Sequence, residues 1–301
     1  MTDDINSDPS NTPDANEATD FERPGGLLSK IDGHLVLYHD PRSVQAEQYR
    51  AFRTRLTSMN RVGAPWAILL TSSRGGEGKS ITAANLAGCL AEIPGARVCL
   101  LEVDGRKPAL ARIFGVAAEP GAADLLEGRC TLKDVLRPTL LPGVDLITAG
   151  REPDNPAELL GDARLEQLLA ELKRRYTWVL IDAPPVHPYT DACVVTPRTD
   201  GALLVVRLGE TPRELVGRTI ENIEAAGGKV IGSFVTGRPP GADDGDRLGD
   251  YAYGIDDEGR EISPGAGLRN RRTFEKDLRK QERAVLKARE KKDRRDDGAP
   301  V

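Results

Sequence analysis

The sequence predicts an α/β protein built on a doubly wound, mostly parallel sheet with helices on both faces. Three observations carry that prediction. Apolar runs of strand length recur at residues 66–71, 98–103, 144–148, 178–181, 202–206 and 230–235. These runs are apolar almost throughout rather than alternating, as expected of parallel strands covered on both faces. Between them lie amphipathic stretches at 80–91, 164–175 and 212–226 whose apolar positions repeat with helical spacing. In such sheets ligands sit at the carboxyl ends of the strands, so the chemistry should follow the apolar runs directly.

Composition narrows the function. The 301 residues are 39% hydrophobic and 30% charged, with a net charge of −5. That length allows a sizeable core, and the acidic balance gives no footprint for nucleic acid. No run of about 18 apolar residues occurs, and the N-terminus is acidic rather than basic and then greasy. The expectation is a soluble, cytoplasmic protein with no membrane anchor of its own. Cys89, Cys99, Cys130 and Cys193 are scattered without a CxxC pair, and His34, His39 and His187 fit no zinc pattern.

Four regions are expected. Residues 1–29 are polar and acidic and read as disordered, and residues 30–240 hold the folded core. Residues 241–268 form a flexible Gly/Asp segment containing Tyr251 and Tyr253, and 269–301 a charged, partly helical tail.

The first apolar run leads into Ser73-Arg74-Gly75-Gly76-Glu77-Gly78-Lys79-Ser80, followed by Ile81 and a helical stretch. A strict P-loop pattern has glycine where Ser73 stands, but the physics survives. Gly75, Gly76 and Gly78 let successive backbone N–H groups turn around a phosphate, and the helix directs its positive end at the same point. Lys79 would reach the β- and γ-phosphates, and the Ser80 hydroxyl would sit on Mg²⁺. The expected ligand is therefore a nucleotide bound with Mg²⁺.

Two further runs end in acid. The second closes on Glu102-Val103-Asp104-Gly105-Arg106, where strand alternation puts Glu102 and Asp104 on one side. The fourth stops abruptly at Asp182 before Ala183-Pro184-Pro185. A carboxylate at the end of an apolar strand is costly unless it faces a polar cleft or a hydrated cation. Asp182 reads as the Mg²⁺-side acid of a P-loop site, and three acids should converge on the loop.

With these motifs the chain resembles the bacterial tyrosine kinases of capsule and exopolysaccharide assembly, which are deviant-Walker ATPases. Glu47-Gln48-Tyr49-Arg50-Ala51-Phe52-Arg53 matches the family's ExxRxxR motif, and Glu102, Asp104 and Arg106 match its second acidic motif, DxDxR. Asn155-Pro156-Ala157-Glu158-Leu159-Leu160 and Ile181-Asp182-Ala183-Pro184-Pro185 are further landmarks. The resemblance implies an ATP-dependent tyrosine autokinase that phosphorylates C-terminal tyrosines of a neighbouring subunit, here Tyr251 and Tyr253. It implies catalytic roles for Lys79, Glu102, Asp104 and Asp182, with Ser80, Asp104 and Asp182 around Mg²⁺. It also implies a ring of subunits joined through Glu47, Arg50 and Arg53, and a transmembrane activator of the chain-length-determining type.

Two departures stand out. Glu102 replaces the family's aspartate, and Thr236 stands where relatives have an asparagine that recognises adenine. A nucleotide-binding scaffold without phosphotransfer, or a partition-type ATPase, are the alternative functions.

Overall fold

The structure, a computed structural model, describes residues 31–60 and 63–237, with a short strand pair at 254–255 and 261–262. Tyr251, Tyr253 and the two tails expected at 1–29 and 269–301 lie outside the described residues.

The apolar runs become strands within a residue or two of their expected limits. They are β1 (Trp66–Ser72), β2 (Val98–Glu102) and, after a two-residue strand β3 (Arg137–Pro138), β4 (Val144–Ile147), β5 (Trp178–Asp182), β6 (Gly201–Arg207) and β7 (Val230–Thr236). They form one sheet in the order β3-β4-β2-β5-β1-β6-β7. Every pairing is parallel except that of β3 with β4 at one edge. The carboxyl ends of β1, β2 and β5 are therefore adjacent, with Glu102 of β2 in register with Asp182 of β5.

Period-two alternation splits the core into two layers. Ile68, Leu70, Leu100 and Leu180 pack with helices α2 (Val44–Met59), α3 (Lys79–Ala91) and α4 (Leu110–Phe114), which follow a short α1 (Val36–His39). Leu69, Leu101, Val179 and Ile181 face the other way. That second layer holds α5 (Ala122–Leu126), α6 (Leu132–Val135), α7 (Pro156–Gly161), α8 (Ala163–Arg175), α9 (Asp191–Val195) and α10 (Arg213–Ala225). The doubly wound expectation is met.

The three helices expected from periodicity appear as α3, α8 and α10. Helices α4 to α7 and α9 have six residues or fewer, too short to show a repeat in the sequence. Helix α2 carries the ExxRxxR residues and begins at Ser43, whose Oγ accepts the Ala46 N–H at 3.2 Å. It lies between α3 and β7: Tyr49 stacks on Phe234 with ring centroids 5.0 Å apart.

Candidate active site

The loop after β1 is built to leave amides unanswered. Gly76 (φ 87°) and Gly78 (φ 90°) adopt left-handed backbone that a side chain would strain. Gly78 caps α3 without a side chain, and no acid occupies the first helical turn. The N–H groups of that turn and its positive dipole end thus remain available to an anion. Helix α3 is buried almost all round, so the loop it terminates is rigidly carried.

The outer side of the loop is braced by distant residues. Glu77, 4% exposed, accepts the N–H groups of Ser73 (2.8 Å) and Arg74 (3.2 Å), and Thr211 Oγ1 donates to its other oxygen. Thr219 Oγ1 donates to Ser73 Oγ at 2.8 Å, and Arg207 Nη1 to the Gly76 carbonyl at 3.2 Å. Thr236 Oγ1 donates to the Glu77 carbonyl at 2.7 Å. Sequence reasoning missed Arg207, Thr211 and Thr219, since no local pattern distinguishes a loop-bracing threonine from any other. Of the expected loop residues, Gly75 is open to solvent, Arg74 is exposed, and the Ile81 carbonyl accepts Asn85 Nδ2 within α3.

Lys79 is the centre of the site. Its Nζ donates to Asp104 Oδ2 at 2.7 Å and lies 3.6 Å from Asp182 Oδ1 and 3.4 Å from Ser80 Oγ. Burial works against the ammonium, but the Asp182 and Asp104 carboxylates outweigh it and hold the Lys79 pKa above the ordinary lysine value. Burial likewise pushes the Asp182 carboxyl above its ordinary value, with the Lys79 charge pulling against it. Asp182 is fully buried, and neither of its carboxylate oxygens has a hydrogen-bond partner. Such an orphaned acid is the donor a hydrated cation would satisfy. Among the described residues, no three or more His, Cys, Asp and Glu side chains group to hold a metal unaided. A cation shared between Asp104, Asp182, Ser80 and a nucleotide's phosphates is the arrangement these residues fit.

Glu102 is held differently from the other two acids. It was expected to converge with Asp104 and Asp182 on the loop, yet its carboxylate is held by backbone. Its Oε1 accepts the N–H groups of Ala109 (2.5 Å) and Leu110 (2.9 Å), and its Oε2 accepts that of Ala149 (3.1 Å). Burial first, then the Asp182 charge, raise its pKa to about 7 against those three amides. Strand β2 ends at Glu102, so Asp104 lies in the following turn. There Asp104 Oδ1 accepts the Lys107 N–H at 3.0 Å while Oδ2 meets Lys79. Two acids therefore meet at the lysine, and the third ties the turn after β2 to the end of β4.

At two other expected positions the structure shows contacts within the chain. The Thr236 hydroxyl donates to the Glu77 carbonyl and so braces the loop. The ExxRxxR charges do gather on one flank of α2, but they close on Glu92 of the same chain. Arg50 donates to Glu92 through Nε (2.9 Å) and Nη2 (2.5 Å), and to Glu47 through Nη1 (2.6 Å). Arg53 Nη1 adds a bond to Glu92 at 2.8 Å. Glu92 immediately follows α3, so the stripe clamps the far end of the helix that Lys79 begins.

Known proteins resemble this chain. The family model of the CobQ/CobB/MinD/ParA nucleotide binding domain matches residues 68–237. Tyrosine-protein kinase YwqD of Bacillus subtilis is 30% identical over 210 residues, which is 70% of this chain and 88% of that protein. The putative tyrosine-protein kinase EpsB of Ralstonia nicotianae is 33% identical over 73% of this chain, a stretch that is 30% of that longer protein. The solved kinase domain of Escherichia coli tyrosine kinase ETK matches with a TM-score of 0.67 at 29% identity, covering 74% of this chain and 86% of that one. On its fold, its phosphate loop and these relatives, the chain belongs to the CobQ/CobB/MinD/ParA nucleotide-binding family and, within it, to the bacterial tyrosine kinases.

Proposed function

We propose that this protein transfers the γ-phosphoryl group of Mg·ATP to tyrosine in the service of capsular or exopolysaccharide export. The observation that carries the reading is the Lys79 ammonium held between Asp104 and Asp182 at the mouth of an unanswered amide loop. The phosphates would rest on the N–H groups of residues 75–80. Ser80, Asp104 and Asp182 would hold Mg²⁺, which when bound neutralises charge on the β- and γ-phosphates.

The phenol oxygen forms a bond to the γ-phosphorus as the bond from that phosphorus to the β–γ bridging oxygen breaks. Lys79 and the loop amides meet the charge that builds on departing ADP, and the phenol proton leaves to water. Because the transition state is loose, positioning and charge stabilisation matter more than a strong base. An acid tied to three amides, as Glu102 is, therefore does not argue against transfer.

Tyr251 and Tyr253 are the proposed acceptors, presented in trans by a neighbouring copy. A ring of copies and a transmembrane chain-length-determinant-type activator belong to the same reading. Among the described residues, no helix is long and apolar enough to cross a membrane. The test is incubation with Mg·ATP and an activator segment, followed by mass spectrometry. Phosphate on Tyr251 or Tyr253, lost in Lys79→Met, is the expected result. Release of inorganic phosphate without phosphotyrosine would instead support the partition-type ATPase, and nucleotide binding with neither would support the scaffold.

A further inference from the structure

Arg106 closes the DxDxR-like motif, and nothing in the mechanism above uses it. Its Nε donates to Asp191 Oδ2 at 3.1 Å, and its guanidinium lies 4.3 Å from the centroid of the Tyr189 ring. Asp191 is 1% exposed, and its Oδ1 has no hydrogen-bond partner. Arg106 therefore supplies the countercharge of a buried acid in a planar, stacked geometry that a lysine does not reproduce.

The position of this contact gives it meaning. Arg106 sits in the turn that Asp104 closes by accepting the Lys107 N–H, two residues beyond the carboxylate that meets Lys79. Asp191 and Tyr189 belong to the segment that leaves β5 after Asp182. Strands β2 and β5 are paired neighbours, and the ladder runs one bond further, from the Val103 N–H to the Asp182 carbonyl at 2.9 Å. Beyond that point no strand pairing holds the two turns together. The Arg106–Asp191–Tyr189 contact bridges them, 85 residues apart in sequence.

We propose that Arg106 is a positioning residue that fixes the spacing of Asp104 and Asp182, and through it the site's response to a divalent cation. The inference rests on the nucleotide-site reading above. Residues that orient ligand-bearing side chains change metal affinity by about 10–100-fold when replaced.

The test is titration of the full chain with a fluorescent ADP analogue, with and without Mg²⁺, for the native protein, Arg106→Lys and Tyr189→Leu, each with a thermal melt. The native protein should bind the analogue, and Mg²⁺ should tighten it. In Arg106→Lys, which keeps the charge beside Asp191, that tightening should shrink by about tenfold. Affinity without Mg²⁺ should stay within about twofold, and Tyr189→Leu should fall between. Equal loss of both affinities together with a lowered melting temperature would mean Arg106 only stabilises the fold and would overturn the proposal. Full Mg²⁺ tightening in both variants would overturn it as well. Failure of the native protein to bind the analogue at all would defeat the nucleotide reading itself, a separate outcome.

Discussion

Replacing Lys79 with methionine should do more than remove a phosphate ligand. The ammonium is the charge that faces two carboxylates which are 2% and 0% exposed, at 2.7 and 3.6 Å. Methionine fills a similar volume but leaves Asp104 and Asp182 with no opposing charge. Removing one partner of a buried ion pair costs about 3–5 kcal/mol. Part of that cost is relieved by protonation of Asp182, whose carboxyl is already held above its ordinary value by burial and whose pKa rises further once the ammonium is gone, at about 1.4 kcal/mol per unit.

The sign follows from that rise. A carboxyl whose folded pKa exceeds its unfolded value takes up a proton on folding, so its contribution falls as pH rises from the unfolded pKa to the folded one. Lys79→Met should therefore lose about 3 kcal/mol against native near pH 8 and clearly less near pH 5.5, measured by urea unfolding followed by circular dichroism. Adding Asp182→Asn should recover at least about half of the loss. A Lys79→Met protein within about 1 kcal/mol of native at both pH values would refute the reasoning, since the carboxylates would then have another source of compensation.

Other expectations follow from single contacts. Thr211→Val removes the hydroxyl that donates to buried Glu77, so affinity for ATP should fall about tenfold by calorimetric titration, and the unsatisfied carboxylate oxygen should lower stability by about 1–3 kcal/mol in urea unfolding. Glu92→Gln unclamps Arg50 and Arg53, and should raise self-association in sedimentation velocity if these arginines also serve a neighbouring copy. An unchanged sedimentation profile would confine them to clamping α2 onto α3. The Asp32 pKa is lowered to about 2, first by the His34 N–H and then by the His34 side chain, with Arg112 adding to it. Its contribution is then complete above pH 3.8 and lost as pH falls toward about 2, so Asp32→Asn should flatten the stability profile in that window of urea midpoints.

Much of this molecule is legible in the sequence because its strongest signals are also its largest structures. Strands covered on both faces cannot hide their apolar runs, and the 13-residue helices α3, α8 and α10 are long enough to repeat. The phosphate loop was readable because glycine, lysine and serine are each required there by geometry. The backbone partners of Glu102 were not legible, because the Ala109, Leu110 and Ala149 N–H groups reach it from elsewhere in the chain. The partners of Glu77 and Arg50 come from Thr211 and Glu92, 134 and 42 residues away, and nothing local announces such pairings. Asp191 had left a trace, an acid set into the apolar run Ala192-Cys193-Val194-Val195, which is how a buried countercharged carboxylate looks in one dimension.

The central claim is that phosphates settle on the amides between Gly75 and Ser80, against Lys79. Amide NMR spectra of ¹⁵N-labelled protein titrated with Mg·ATP test it most directly. Large shifts confined to Gly75, Gly76, Gly78, Lys79, Ser80 and the first turn of α3, absent in Lys79→Met, are the result predicted here. Saturable binding that leaves those amides unmoved while others shift would contradict the account.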